Sequence, residues 1–445
     1  MKKTESNPSM SSGIDTSSPP MTSATASRLF SEAVTAHKEG RLDTAASGYL
    51  KILEHFPRDA ESRFLLGSIF SEKNQTQDAI DMLQSCVECK QNHVRALNAL
   101  GALLAQETRY DEAINALHSA TQFANNDART WCNLGRAYLK AGHFSSSRDA
   151  FHEALTLQPS FWPAANGYGL SVGKLGQKKE AIDFLTKSIE KWPEEIALHL
   201  TLIGYLLAEE RFEEVRSRSL DALSKWPQAS QFHIYLSVAQ HKAGELEEAI
   251  KSLEKALELE PNNVSALDQI SNHLYAIGQW KKAEGYCLKS LDLEPNSAKA
   301  LNNMGRIRQM RGDLDGSGQW FMQSAEKDPD FGDAYNNLGN YYLYTDRIKE
   351  AINNFDRAIE LKPELIGFRF NRAIAMMTQG NPAEVWRDYR ERFEKSDNKV
   401  EASDWPYPRW NGESLSRKRA LIWAEQGIGD QVIFSRYATC FASQA

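Results

Sequence analysis

Small and large apolar positions recur along the chain with a period of 34 residues. With residue 26 as position 1, eleven repeats follow one another without insertion and end at residue 399. Position 8 is glycine or another small residue in every repeat but the sixth, and position 20 is always alanine, serine or valine. Apolar residues recur at helical spacing around them, and small residues let two helices approach closely. The pattern therefore predicts a pair of antiparallel helices in each repeat. In repeat four, the predicted inward residues are Trp131, Leu134, Tyr138, Phe151 and Ala154.

Glycine and proline mark the predicted ends of these helices. Glycine is at position 15 in seven repeats, beginning with Gly40, and its tolerance of positive φ ends the first helix. Proline is at position 32 in eight repeats and cannot continue the second helix. One helix pair cannot bury its apolar face alone, so neighbouring pairs are predicted to stack. The eight prolines are Pro57, Pro159, Pro193, Pro227, Pro261, Pro295, Pro329 and Pro363.

This frame resembles the tetratricopeptide repeat (TPR), and the resemblance covers residues 26–399. It implies an all-α TPR solenoid, a right-handed superhelix of about eleven helix pairs. The preceding residues 1–25 are rich in Ser, Thr and Pro, so we predict a disordered tail there. Two lysines near its start have no apolar segment behind them, so a secretory signal is not predicted.

Repeat six departs most from the frame. Ile203 and Val215 replace small residues at positions 8 and 20, and Glu210 replaces the glycine at position 15. Ser219 also replaces the larger residue expected at position 24. A bulky side chain at the helix crossing forces the backbone apart, so we predict a softer joint near residues 196–229.

The TPR resemblance implies that the first helix of each repeat lines a concave groove for extended peptides or partner helices. Position 6 could supply a row of amides along that groove, and an amide both donates and accepts hydrogen bonds. This row looks like the asparagine ladder of O-linked N-acetylglucosamine transferases, whose groove holds acceptor proteins. Asparagine at this position is also common in ordinary TPR sequences, and Thr201, Tyr235 and Gln269 interrupt the row. The predicted groove residues are Asn133, Asn303, Asn337 and Asn371.

Composition excludes several other kinds of site. The net charge is −7 and the chain has no long basic run, so a nucleic-acid site is not predicted. No segment is apolar enough to predict a membrane span. Five cysteines suggest a reducing, cytoplasmic setting, and Cys86 with Cys89 is interpreted as helix packing. His199 and His233 are 34 residues apart, so stacked helices would hold them too far apart for one zinc ion. We predict no metal and no cofactor.

The end of the chain has a different pattern. Residues 400–418 are aromatic and non-periodic and are predicted to be a connector, followed by a strand, a loop and a helix over 419–445. Gly427 and Gly429 fit the first two glycines of a dinucleotide fingerprint, but Val432 occupies the third place. A Gly-Lys-Ser/Thr sequence is also missing, so neither a dinucleotide nor a Walker-type nucleotide site is predicted.

The run from Pro408 to Tyr437 resembles the junction of bacterial TPR proteins that carry a C-terminal glycosyltransferase domain related to the heptosyltransferases. Those are GT-B enzymes that use nucleotide-sugar donors. The resemblance implies that Asp430 would be the general base for an acceptor hydroxyl, with Gly427 and Gly429 close to the acceptor or a phosphate. Asp430 is equally suited to cap the following helix.

The sequence therefore predicts a protein- or peptide-binding TPR solenoid, as the acceptor-recognition part of a truncated TPR-containing glycosyltransferase. One strand and one helix cannot form a stable sheet, so no sugar transfer is expected from these 445 residues, and a nucleotide sugar would bind only with the missing domain. The alternative is a non-enzymatic scaffold or adaptor for protein complexes.

Overall fold

The computed structural model of the protein describes residues 21–379. This range contains α-helices and no β-strand. The predicted connector and the predicted strand–loop–helix of residues 419–445 lie outside the described residues, as do residues 1–20. The first helix begins at Ser23, three residues before the start of the repeat frame, because the Thr22 hydroxyl caps it by accepting a hydrogen bond from the Thr25 N–H.

The helices alternate as the first and second members of each repeat, so the odd-numbered helices are first helices. They are, in order, α1 Ser23–Lys38, α2 Leu42–His55, α3 Ala60–Glu72, α4 Thr76–Cys89, α5 Val94–Gln106, α6 Tyr110–Phe123, α7 Ala128–Lys140, α8 Phe144–Leu157, α9 Trp162–Lys174, α10 Lys178–Lys191, α11 Ile196–Ala208, α12 Phe212–Lys225, α13 Ser230–Lys242, α14 Leu246–Leu259, α15 Val264–Ala276, α16 Trp280–Leu293, α17 Ala298–Met310, α18 Leu314–Lys327, α19 Gly332–Tyr344, α20 Ile348–Leu361 and α21 Ile366–Thr378.

The chain divides into two compact units, Met1–His273 and Leu274–Ala445. In the first unit, each helix from α1 to α13 packs against the next one, and the first helices of neighbouring repeats also contact one another from α3 to α13. In the second unit, α17 contacts α19 and α19 contacts α21 in the same way. First helices therefore form a layer of their own within each unit, which confirms the predicted helix pairs.

The small residues at positions 8 and 20 lie where the two helices of a repeat cross. From Ala45 to Ala351, the residue at position 20 is fully buried in all ten repeats, including Ser147 and Val215. Position 8 is small for a second reason, because it faces the large residue at position 24 of the same repeat. A Cβ at Gly305 would lie 2.5 Å from the Phe321 ring. These contacts explain why position 8 is restricted to small residues in all repeats but the sixth.

Second helices end at the same position whether or not proline follows. The helices α4 and α6 end two residues before Gln91 and Asn125, just as others end two residues before proline. Several first helices begin at a capping side chain, and Asp59 accepts a 2.8 Å hydrogen bond from the Ser62 N–H. Each second helix therefore ends just before the cap of the next first helix, and proline reinforces the stop where it is present.

Position 15 has a positive φ in every described repeat, which confirms the role assigned to glycine there. Thr108 adopts a φ of 60° at this position, although a β-branched residue is strained in the left-handed region. We expect Thr108→Gly to raise the free energy of unfolding by roughly 0.5–1 kcal/mol, measured by urea denaturation. Asn74→Gly is the matched control, because asparagine tolerates its φ of 58° and should gain less. An equal gain in both variants would contradict this account.

Repeat six accommodates its bulky residues without exposing them. Ile203 and Val215 are fully buried, and α11 contacts α12 more sparsely than α7 contacts α8. We therefore expect faster backbone hydrogen exchange in α11 and α12 than in α7 and α8, after correction for intrinsic rates. Equal protection of the two repeats would show that the joint at residues 196–229 is not soft.

Candidate functional site

The candidate site residues are the position-6 asparagines on the first helices within each of the two units. Asn133 lies on α7 in the first unit, whereas Asn303, Asn337 and Asn371 lie on α17, α19 and α21 in the second. All four residues are half-buried beside the packed layer of first helices.

Three of these amides donate a hydrogen bond to the asparagine at position 5 of the preceding repeat. This partner was not predicted from the sequence. Consecutive asparagines at positions 5 and 6, as at Asn302–Asn303 and Asn336–Asn337, are a signal for it in the sequence. Which asparagine bonds to which, however, depends on how the helices are staggered. The bonds join Asn133 Nδ2 to Asn98 Oδ1 at 3.3 Å, Asn337 Nδ2 to Asn302 Oδ1 at 2.8 Å and Asn371 Nδ2 to Asn336 Oδ1 at 2.9 Å.

The pairing fixes the orientation of the amides of Asn133, Asn337 and Asn371. Each bond uses one N–H of the amide, which leaves the carbonyl oxygen and a second N–H for another partner. In the first unit the chain of bonds continues, because Asn98 Nδ2 donates to Thr130 Oγ1 at 2.7 Å and Thr130 donates to Asp127 at 2.6 Å. In the second unit Asn302 is only 4% exposed, so its carbonyl is a rigid acceptor for Asn337. The amides are therefore held in place before any partner arrives.

The residues predicted near a sugar-transfer site lie outside the described residues. These are Asp430, Gly427 and Gly429. Within residues 21–379, no cluster of three or more His, Cys, Asp or Glu side chains is suited to hold a metal ion, and no helix is long and apolar enough to cross a membrane.

Histidines at position 4 take part in packing between repeats. The His199 ring lies edge-on to Trp226, with 5.0 Å between the centroids, and its Nε2 is 3.1 Å from the Pro193 carbonyl oxygen. Trp131 at the same position of repeat four donates to the Asn125 carbonyl at 2.9 Å. His199 and Trp131 thus each donate from a ring nitrogen to the carbonyl at position 32 of the preceding repeat.

Cys86 is a buried packing residue. Its thiol donates to the Ala60 carbonyl at 3.1 Å, and burial raises the pKa of Cys86 to about 11. The nearby Glu61 carboxylate contributes to this rise in the pKa by disfavouring the thiolate. A thiol in this state is a poor nucleophile and a poor metal ligand at neutral pH.

Models of the tetratricopeptide repeat family match this chain at residues 128–161, 230–263, 286–319 and 332–365. Three of these four matches begin at position 1 of the repeat frame. A family model described as anaphase-promoting complex, cyclosome, subunit 3 matches residues 38–120. The chain therefore contains tetratricopeptide repeats, and such repeats are suited to binding proteins or scaffolding complexes.

The chain is 35% identical to Protein FlbA of Caulobacter vibrioides over 72 residues, which is 16% of this chain and 12% of FlbA. Among solved structures, MamA protein is 24% identical, with 38% of this chain and 93% of MamA covered at a TM-score of 0.37. A tetratricopeptide repeat protein from Parabacteroides merdae is 13% identical, with 56% and 98% covered at a TM-score of 0.48. The APC/C hetero-tetramer Cut9–Hcn1 is 14% identical, with 85% and 95% covered at a TM-score of 0.43.

Proposed function

We propose that this chain binds extended peptide segments of partner proteins through its position-6 asparagines. The observation that supports the proposal is the set of three asparagine–asparagine hydrogen bonds across adjacent repeats. They hold each amide with a donor and an acceptor still available, as pairing with a peptide main chain requires. Recognition of the main chain would make binding largely independent of the side chains of the partner.

The triple variant Asn303→Ala/Asn337→Ala/Asn371→Ala is expected to weaken peptide binding roughly a hundredfold. Each lost hydrogen bond to the peptide costs about 1 kcal/mol, so three would cost about 3 kcal/mol. The measurement is fluorescence anisotropy with labelled peptides selected from a random display library on the wild-type protein.

A matched control replaces three asparagines that lie away from position 6 and are exposed: Asn115, Asn262 and Asn353. Their alanine variant should bind the selected peptides as the wild type does. Circular dichroism should report the same helix content for both triple variants. Unchanged affinity in the position-6 variant would leave these asparagines as features of the repeat sequence only.

Residues 419–445 support a finer proposal, in which the repeats hold the protein acceptor of a glycosyltransferase. The support is the Gly427-x-Gly429-Asp430 sequence after a predicted strand. The test uses the gene as the genome encodes it and measures sugar transfer from a panel of nucleotide sugars to captured partners, by intact mass.

Asp430→Asn is expected to lower that transfer by about 10²–10⁴-fold, the usual contribution of a general base. Glu425→Gln, in the same loop, is the control. Partner capture without any sugar transfer by the wild type would instead favour the non-enzymatic scaffold.

A further inference from the structure

Charge is distributed unequally between the two helix layers of the first unit. Five consecutive first helices, α5, α7, α9, α11 and α13, contain no Asp or Glu. The intervening second helices α6, α8, α10 and α12 each contain at least two. The whole chain has a net charge of −7, so the layer of first helices is a basic zone within an acidic protein. Its bases are Arg95, Arg129, Arg136, Lys140, Lys174 and Lys242.

Three of these bases share one face of α7 with a candidate groove residue. Arg129, Asn133, Arg136 and Lys140 follow one another at spacings of four, three and four residues, which places them on one face of the helix. The three charged side chains are exposed and Asn133 is half-buried. We call these four residues the α7 stripe.

The charges of the α7 stripe have no counter-charge in the part of the chain that the structure describes. On the second helices, some bases have a carboxylate partner and others do not. Within residues 21–379, Arg129, Arg136 and Lys140 form no ion pair, and Arg95 on the neighbouring first helix pairs with Glu61. Paired examples on second helices are Arg148 with Asp149 at 2.8 Å, Arg216 with Glu245 at 2.8 Å and Lys251 with Glu248 at 2.7 Å.

Stabilisation of helix α7 by its dipole explains the presence of only one of the three charged residues in the stripe. Lys140 lies in the last turn of α7, where a cation is favoured by the helix dipole. Arg129 lies in the first turn, where the dipole disfavours a cation, and Arg136 lies in the middle, where the dipole contributes little. The two arginines therefore add positive charge to the stripe that the helix does not require.

We propose that the α7 stripe binds an acidic peptide segment of a partner protein. This inference rests on the proposed function, because Asn133 would hold the peptide main chain while Arg129, Arg136 and Lys140 pair with Asp, Glu or phosphorylated side chains. The stripe spans about 16 Å along the helix, which matches about five residues of extended chain. Guanidinium groups suit carboxylates and phosphates because they can donate two parallel hydrogen bonds.

Charge favours an acidic peptide over nucleic acid as the occupant. A nucleic acid would extend beyond the stripe, and its dense negative charge would then meet the acidic second helices. A short acidic peptide fits within the basic layer.

The test measures anisotropy of a fluorescein-labelled peptide of alternating glutamate and glycine, with a glutamine–glycine peptide as the neutral probe. We expect the wild type to bind the acidic peptide at least about tenfold more tightly, with an advantage that disappears between about 0.1 M and about 1 M salt. Arg129→Gln/Arg136→Gln should remove this advantage. The matched control Arg148→Gln/Arg218→Gln removes the same charge from second helices and should retain it.

The outcomes separate this inference from the proposed function. If both peptides bind equally and Asn133→Ala weakens both, peptide binding stands and the acidic preference is overturned. If neither peptide binds, and the display library also yields no binder, both are overturned. If a single-stranded oligonucleotide binds more tightly than the acidic peptide and the double arginine variant abolishes this, the stripe is a nucleic-acid site and the inference is wrong.

Discussion

Phe151→Ala is expected to lower the free energy of unfolding of the surrounding repeats by about 3–5 kcal/mol, the usual cost of removing a fully buried phenylalanine. The Phe151 side chain has no exposed surface and packs against Cys132, Ala154 and Ala164. Truncation would leave a cavity that rigid helix pairs fill poorly, so the cost combines lost burial with lost packing.

Two glycines leave room for the ring of Phe151. A Cβ at Gly135 would lie 3.0 Å from the ring, and a Cβ at Gly167 would lie 2.2 Å from it. Gly135 belongs to the same repeat and Gly167 to the next one, so a single side chain links two repeats. Its loss should therefore weaken the contact between α8 and α9 as well as the pair α7–α8.

Native-state hydrogen exchange in α7, α8 and α9 measures this loss locally, which matters because repeat arrays do not always unfold in one step. Phe123→Ala is the matched control, because the Phe123 side chain is 51% exposed and its truncation should change stability by less than about 0.5 kcal/mol. Similar losses in the two variants would show that the pocket around Phe151 collapses without cost.

The effect of Gly167→Ala on stability should change from destabilising to stabilising when Phe151 is replaced by alanine. Gly167→Ala in the wild type forces a methyl group into the Phe151 ring and should destabilise. In the Phe151→Ala background the space is empty, and alanine should stabilise α9 by about 1 kcal/mol through its higher helix propensity. Destabilisation of equal size in both backgrounds would mean that Gly167 is needed for another reason.

The repeat frame and the helix pairs could be predicted from the sequence because they depend on local residue types that recur every 34 residues. Small residues at the helix crossing, glycine with positive φ and the position of helix ends all act within one repeat. The frame also predicted which residues of repeat four face inward. Leu134, Phe151 and Ala154 are buried, and Trp131 and Tyr138 are partly buried.

Contacts between repeats were harder to predict because they follow the stagger of the helices. Periodicity alone would pair equivalent positions of neighbouring repeats, which are 34 residues apart. The asparagine bonds instead join residues 35 apart. Position 6 of repeat five illustrates the same limit. Gly167 occupies this position and is buried under the ring of Phe151. The row of amides is therefore interrupted by packing at that repeat.

The stacking of two histidines, His241 and His273, is another contact that no pattern in the sequence predicts. His241 at position 12 of repeat seven and His273 at position 10 of repeat eight lie with ring centroids 4.5 Å apart and planes within 9° of parallel. His273 is 5% exposed, and neither of its ring nitrogens has a hydrogen-bond partner in the described part of the chain. Burial, together with the proximity of His241, lowers the pKa of His273 to about 4.

Acidification is therefore expected to destabilise the first unit by about 3 kcal/mol through His273. The ring stays neutral in the folded protein down to a pH of about 4, whereas in the unfolded chain it takes up a proton near pH 6.5. The unfolded state then binds more protons as the pH falls between these values. The stability contributed by the neutral ring is complete above pH 6.5 and is lost progressively down to about pH 4.

His273→Leu should remove this dependence, because leucine fills the buried site without a titrating group. Urea unfolding midpoints of the wild type and the variant should be similar at pH 7, since the neutral ring makes no hydrogen bond that leucine would lose. Near pH 4 the variant should be the more stable of the two by about 2–3 kcal/mol. His152→Gln, at an exposed position, is the control and should follow the wild type at every pH. A constant difference between the wild type and His273→Leu across this range would mean that His273 ionises in the folded protein as it does in the unfolded chain.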